Sequence, residues 1–134
     1  MSYYFNEVLD ISFEEAIKRV TEALKKEGFG VLTEIDVTGT LKKKLDIDFK
    51  KYRIPGACNP KFAYEALLEE HKIGTMLSCN VIVQQGADGK VEVAAIDPVA
   101  SMQAIKNENL GKIASQVQSK LNFIKISAGG NHGF

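Results

Sequence analysis

Apolar and polar positions along the chain change period repeatedly, and each change marks an element. Tyr3–Leu9 is rich in aromatic residues, which favour a pleated, half-buried surface, and predicts a first strand. From Phe13 the period lengthens. Phe13, Ala16, Ile17, Val20 and Leu24 share one helical face, Ser12 and Glu15 form a capping box at its start, and Gly28 stands where a left-handed C-cap ends it. Gly30–Val37 then alternates, with Val31, Thr33, Ile35 and Val37 on one side and Leu32, Glu34 and Asp36 on the other. That pattern predicts a strand with one face buried and one partly wet. In Thr38–Lys51 the spacing of Leu41, Leu45 and Phe49 supports a short helix, which Gly39 and two aspartates weaken.

Tyr52–Ala57 is the third predicted strand, and Pro55 assigns it an edge position or a bulge because proline cannot donate to a ladder. A second main helix is expected from Pro60 to His71. Its inward residues are Ala63, Tyr64 and Leu67, with Lys61, Glu65 and Glu69 outward and Phe62 on the polar side, either exposed or covering a neighbouring element or a partner. Leu77–Gln84 and Val91–Ile96 are strong strands joined through Asp88-Gly89, a hairpin turn signal. If those two residues form the whole loop, Asn80 lies opposite Asp97, and Cys79 opposite Pro98. Asp97-Pro98 opens a short helix with Val99, Met102 and Ile105 inward, and a last helix follows on the stripe Leu110, Ile113, Val117 and Leu121. The expected fold is α+β: one domain over 1–122, a mixed, mainly antiparallel sheet with helices packed on one face, and a flexible tail over 123–134. The other face of the sheet, with Ile82 on it, needs a cover or forms the wall of a pocket.

Composition narrows the function classes. The 134 residues carry 17 basic and 17 acidic side chains, so no overall field recruits nucleic acid or an acidic membrane surface. No stretch approaches the ~20 apolar residues that span a bilayer. The expectation is a soluble cytoplasmic protein whose two cysteines are reduced. Lys42–Lys44 reads as a solvated helix face without a glycine-rich phosphate cradle.

Cys58 is the leading chemical candidate. Asn59 and Pro60 are an N-cap and first-turn pair, so a thiol just ahead of them meets free N–H donors and the positive end of a helix dipole, which favour thiolate. Asp97-Pro98 repeats the corner beside Cys79. The candidate ligand-binding residues are therefore Cys58, Asn59, Asn80 and Asp97, with Cys58 as candidate nucleophile and Cys58 and Cys79 as candidate metal ligands. A parallel pairing of the third and fourth strands would hold the two cysteines about 15 Å apart at ~3.3 Å per residue, too far for a disulfide. His71 and His132 are lone histidines and read as structural or exposed. No P-loop, dinucleotide fingerprint or serine elbow is present.

Gly56-Ala57-Cys58-Asn59-Pro60-Lys61, Ile73-Gly74, Leu77-Ser78-Cys79-Asn80-Val81 and Ala95-Ile96-Asp97-Pro98 together resemble the family "domain of unknown function 302". The resemblance implies a small α+β domain, homodimeric, with no established activity. Relatives of this kind occur with and without both cysteines, and a subgroup has Leu-Pro-Cys-Asn where Ser78 stands here. A function common to the whole family therefore does not depend on Cys58 or Cys79. The readings left open are a homodimeric binding domain for a small anion or soft metal near two helix N-termini, a thiol redox or sulfur-transfer enzyme using Cys58, and a structural dimerisation module.

Overall fold

The computed structural model describes residues 2–129. Its elements are β1 (Tyr4–Leu9), α1 (Phe13–Lys26), β2 (Gly30–Asp36), α2 (Val37–Leu45), β3 (Tyr52–Cys58), α3 (Pro60–Glu69), a 3-10 segment (His71–Met76), β4 (Cys79–Gln85), β5 (Val91–Ile96), α4 (Pro98–Ser101) and α5 (Glu108–Gly129). The five strands form one sheet in the order β1-β5-β4-β3-β2, and every neighbouring pair is antiparallel. The α+β expectation is met, without the parallel pairing that "mixed" allowed for. Helix α5 runs to Gly129, into the segment expected as tail, and residues 130–134 of that expectation lie outside the described residues.

Local signals explain most boundaries. Ser12 Oγ accepts from Glu15 N–H at 3.1 Å, and Gly28 takes the left-handed φ of 87° expected of it. The buried side of α1, Phe13, Ala16, Val20, Ala23 and Leu24, packs onto Val81, Val83, Val91 and Val93 of the sheet, with Val117 and Leu121 of α5 closing the core. Each large apolar side chain buried there contributes about 1.5–3 kcal/mol. Helix α2 buries none of its residues, and Asp36 caps it by accepting from Gly39 N–H at 3.0 Å. Lys42 on its solvated face pairs with Asp46 and Asp48.

Four expectations change. Strand β3 lies inside the sheet, so Pro55 is buried rather than on an edge. Its ladder to β4 pairs Arg53 with Val83 and Gly56 with Asn80 and is interrupted between them, at the residue with no N–H to give. Pro55 itself pairs with Glu34 of β2, and the extra residue of β2 lies opposite the Gly56–Ala57 step, where Leu32 shifts the register between Val31 and Thr33. Strand β2 is then one of the two edge strands, and its alternation does not bury one face: Leu32 is 73% and Ile35 52% exposed.

The β4–β5 turn is the third change. Gly86 N–H donates to Lys90 O at 2.8 Å and Gly89 N–H to Gly86 O at 3.0 Å, so the loop is Ala87-Asp88-Gly89. Gly89, at φ 82°, occupies the left-handed position that three-residue hairpins require. The register moves by one residue, pairing Val81 with Ala95 and Val83 with Val93.

The fourth is the buried stripe of α3. Phe62 and Ala66 are buried, while Tyr64 and Leu68 are 65% and 63% exposed and Leu67 lies outward as well. Accordingly, Phe62→Ala is expected to lower stability by about 3–5 kcal/mol and Tyr64→Ala by no more than about 0.5 kcal/mol, as read by urea denaturation.

Candidate functional site

The antiparallel β3–β4 pairing sets Ala57 opposite Cys79, and Cys58 is the next residue along. The two cysteines are therefore neighbours rather than separated by the length of a strand, because α3 and the 3-10 segment bring the chain back beside β3. Both are free thiols. They line a cavity of about 30 Å³ together with Asn59, Phe29, Phe62 and Pro98. Pro60 opens α3 and Pro98 opens α4, so both predicted helix starts do meet at this cavity.

Its chemistry differs from the expectation. Burial pushes the Cys79 thiol up to about 11, with the neighbouring Cys58 adding to the rise, and burial pushes Cys58 up too. Desolvation thus outweighs the helix terminus that was expected to favour thiolate. Asn59 stands at the N-cap position without capping: its Nδ2 donates to Glu27 O at 3.3 Å, fastening the start of α3 to the end of α1. Asp97 does cap. Its Oδ1 accepts from Val99 N–H at 3.0 Å and from Gln118 Nε2 at 3.0 Å, joining α4 to α5. The register shift places Ile96 opposite Asn80, and the expected Asn80–Asp97 hydrogen bond is not formed. Cys58, Asn59 and Cys79 are thus brought together with Pro98 of the second corner, and Asn80 is not among them.

Asn80 belongs to the other side of the sheet. Alternation along the paired strands sends Tyr4, Asn6, Val8, Thr33, Ile35, Tyr52, Ile54, Gly56, Asn80, Ile82, Gln84, Glu92, Ala94 and Ile96 to the face that carries no helix. An apolar row, Ile35, Ile54, Ile82 and Ala94, runs across its middle. At one end Thr33, Ser78 and Asn80 crowd around Gly56, where a Cβ would collide with Thr33 Oγ1 and lie 3.0 Å from Ser78 Oγ. At the other end Glu92 accepts from Gln84 Nε2 at 2.7 Å and from Asn6 Nδ2 at 2.9 Å. Between these ends a hollow of about 410 Å³ opens over the small side chain of Ala94, walled by Tyr3, Tyr4, Tyr52 and Ile82. A volume of this size matches small-molecule sites.

Sequence reading missed Glu92 and the three tyrosines. The available signal was a single carboxylate inside Val-Glu-Val-Ala-Ala-Ile, which alternation directs away from the valines. A further hollow of about 440 Å³ lies beside α2, but the cations that wall it are engaged: Lys42 with Asp46 and Asp48, Lys51 with Glu14, Arg53 with Glu34. Among the described residues no group of three or more His, Cys, Asp or Glu side chains converges, and His71 lies exposed on the 3-10 segment. His132 lies outside the described residues. No helix among the described residues is long and apolar enough to cross a membrane.

A five-stranded antiparallel sheet with helices on one face and a hollow on the other defines a two-layer α+β domain. The chain belongs to the family described as "Domain of unknown function DUF302", whose model matches residues 5–127. It is also similar to the crystal structure of the uncharacterized conserved protein DUF302 from Bacillus stearothermophilus, with 28% identity and a TM-score of 0.88, covering 96% of this chain and 99% of that one. No curated protein matches significantly.

The buried thiol has a pH consequence. Folding favours neutral Cys79, so between its ordinary value of 9.0 and about 11 the folded chain keeps a proton that the unfolded chain releases. This contribution to stability is complete below pH 9.0 and is lost as pH climbs through about 11. Melting curves over that window are expected to fall more steeply for the wild type than for Cys79→Ala. Iodoacetamide at neutral pH should modify both thiols in the native protein more slowly than an unfolded control.

Proposed function

We propose that the protein is a homodimeric binding domain whose working surface is the bare face of its sheet. The observation that carries this reading is that face itself. All core helices pack on the opposite side, leaving the apolar row exposed at Ile35 (52%), with Val8 (56%) and Tyr4 (40%) toward β1. Among the strand positions directed there, Glu92 alone bears a formal charge, so a second copy meets no row of like charges. An apolar row flanked by polar ends is self-complementary under a two-fold axis, as an isologous interface requires. A chain of this class exposing such a stripe is ordinarily covered.

A second reading draws support from the convergence of Cys58 and Cys79 on one cavity: a thiol site, holding a soft metal or serving redox or sulfur transfer. Burial of both thiols in protonated form weighs against a nucleophilic thiolate. A cavity of about 30 Å³ has room for about one or two waters, less than a phosphate-sized anion needs. If the bare face binds only its own copy, the third reading, a dimerisation module, is what remains.

Sedimentation velocity decides the main reading. The wild type is expected to sediment as a dimer at micromolar concentration. Ile35→Lys, which changes an exposed edge position, should sediment as a monomer while keeping stability within about 0.5 kcal/mol. A monomeric wild type, or a dimer that Ile35→Lys leaves intact, would overturn the assignment to this face.

A further inference from the structure

From the hollow on the bare face we infer that its ligand is a small organic cation, an amine or quaternary ammonium group, held between Tyr4 and Tyr52 above the Glu92 carboxylate. This rests on the reading of the bare face as the working surface and adds the ligand's chemical class. Two observations and one consequence of the proposed dimer point the same way.

The first is aromatic content. Tyr3, Tyr4 and Tyr52 come from β1 and β3, on opposite sides of the two central strands, and enclose one space. Tyr3 and Tyr4 are locked edge-to-face, with ring centroids 4.9 Å apart and planes at 70°. Electron-rich ring faces attract cations, and several such rings around one space are the usual way proteins recognise quaternary ammonium groups.

The second is charge. Glu92 is half-buried, and both its oxygens receive hydrogen bonds from neutral amides, those of Gln84 and Asn6. Among the described residues, no lysine or arginine lines the hollow. Glu14 finds a cation in Lys51 and Glu34 in Arg53, whereas both partners of Glu92 are neutral amides. Neutral amides orient the carboxylate without neutralising it, and a ligand cation would complete the pairing.

The third follows from the dimer. A second copy laid over this face takes Glu92 of each subunit out of water, and a buried carboxylate without a counter-charge is costly. A guest cation in each hollow removes that cost, so cation binding and association should reinforce each other. The Asn80 and Thr33 end of the face, by contrast, offers neutral polar groups and no charge.

The test uses tetramethylammonium, with tert-butanol as a neutral probe of similar shape, titrated into the full-length protein and followed by amide NMR spectra. Tetramethylammonium is expected to shift signals of Tyr4, Tyr52, Glu92 and Ala94 saturably. Under the same conditions tert-butanol should bind at least about tenfold more weakly, and Glu92→Gln and Tyr52→Leu should each weaken the cation by about tenfold or more. Equal responses to the two probes, no saturable response, or undiminished affinity in both variants would each overturn the cation site. If Glu92→Gln does not fold, Tyr52→Leu and the tert-butanol comparison still decide. Sedimentation of the same samples separates the two readings. A dimer without cation selectivity overturns only the ligand class, whereas a monomer that binds selectively overturns only the homodimer.

Discussion

The structure depends on one parity condition in the central hairpin. Val81 and Val83 of β4 and Val91, Val93 and Ala95 of β5 must all point to the same side, because that side receives Val20 and Leu24 of α1. Pairing Val83 with Val93 satisfies it. A two-residue loop would oppose Val81 with Ile96 and Val83 with Ala94, which splits the valines between faces. Gly89 at φ 82° allows the extra loop residue that keeps them together. Everything else follows by alternation. Once the valines point toward the helices, Ile82, Glu92 and Ala94 point away, and the bare face acquires its apolar row and its one charge.

The cysteine cavity shows two opposing electrostatic effects of unequal size. A helix N-terminus acts over its first turn with a modest stabilisation of negative charge, typically about 0.3–1 kcal/mol. Removing a thiolate from water costs more, and Phe29 and Phe62 help to remove it here. The local motif was therefore read correctly as a helix start and incorrectly as an activating environment. Asn59 makes the same point from the polar side. Residue type fitted the cap, but Nδ2 was drawn to the free carbonyl at the end of α1, a partner visible only once α1 and α3 are packed.

Much of the fold was legible because its signals are local. The Ser12 capping box, the left-handed Gly28, the Asp97-Pro98 corner and the alternation of β4 and β5 each lie within a few residues. What escaped depends on non-local packing. Pro55 implied an edge or a bulge through its missing donor, and the packed sheet holds it in an internal strand where the ladder is interrupted and the neighbouring strand carries the bulge. Phe62 looked exposed because α3 was assigned a single face toward the sheet. The helix instead rests against α5 and the 3-10 segment as well, so its buried side turns toward Phe62 and Ala66. The hairpin register was readable in principle, since the positions of the four valines already exclude a two-residue loop.

Two of the four candidate residues, Cys79 and Asn80, divide along the same parity. Cys79 and Asn80 are adjacent in the chain, yet strand alternation sends Cys79 toward Phe62 beneath the helices and Asn80 into the row with Gly56 and Thr33 on the bare face. The sheet lies between them. A ligand at one cannot be touched by the other, so the two proposed readings, a thiol site and bare-face binding, are physically separate. The proposed bare-face function therefore needs neither cysteine, only the hairpin parity that directs Glu92 outward.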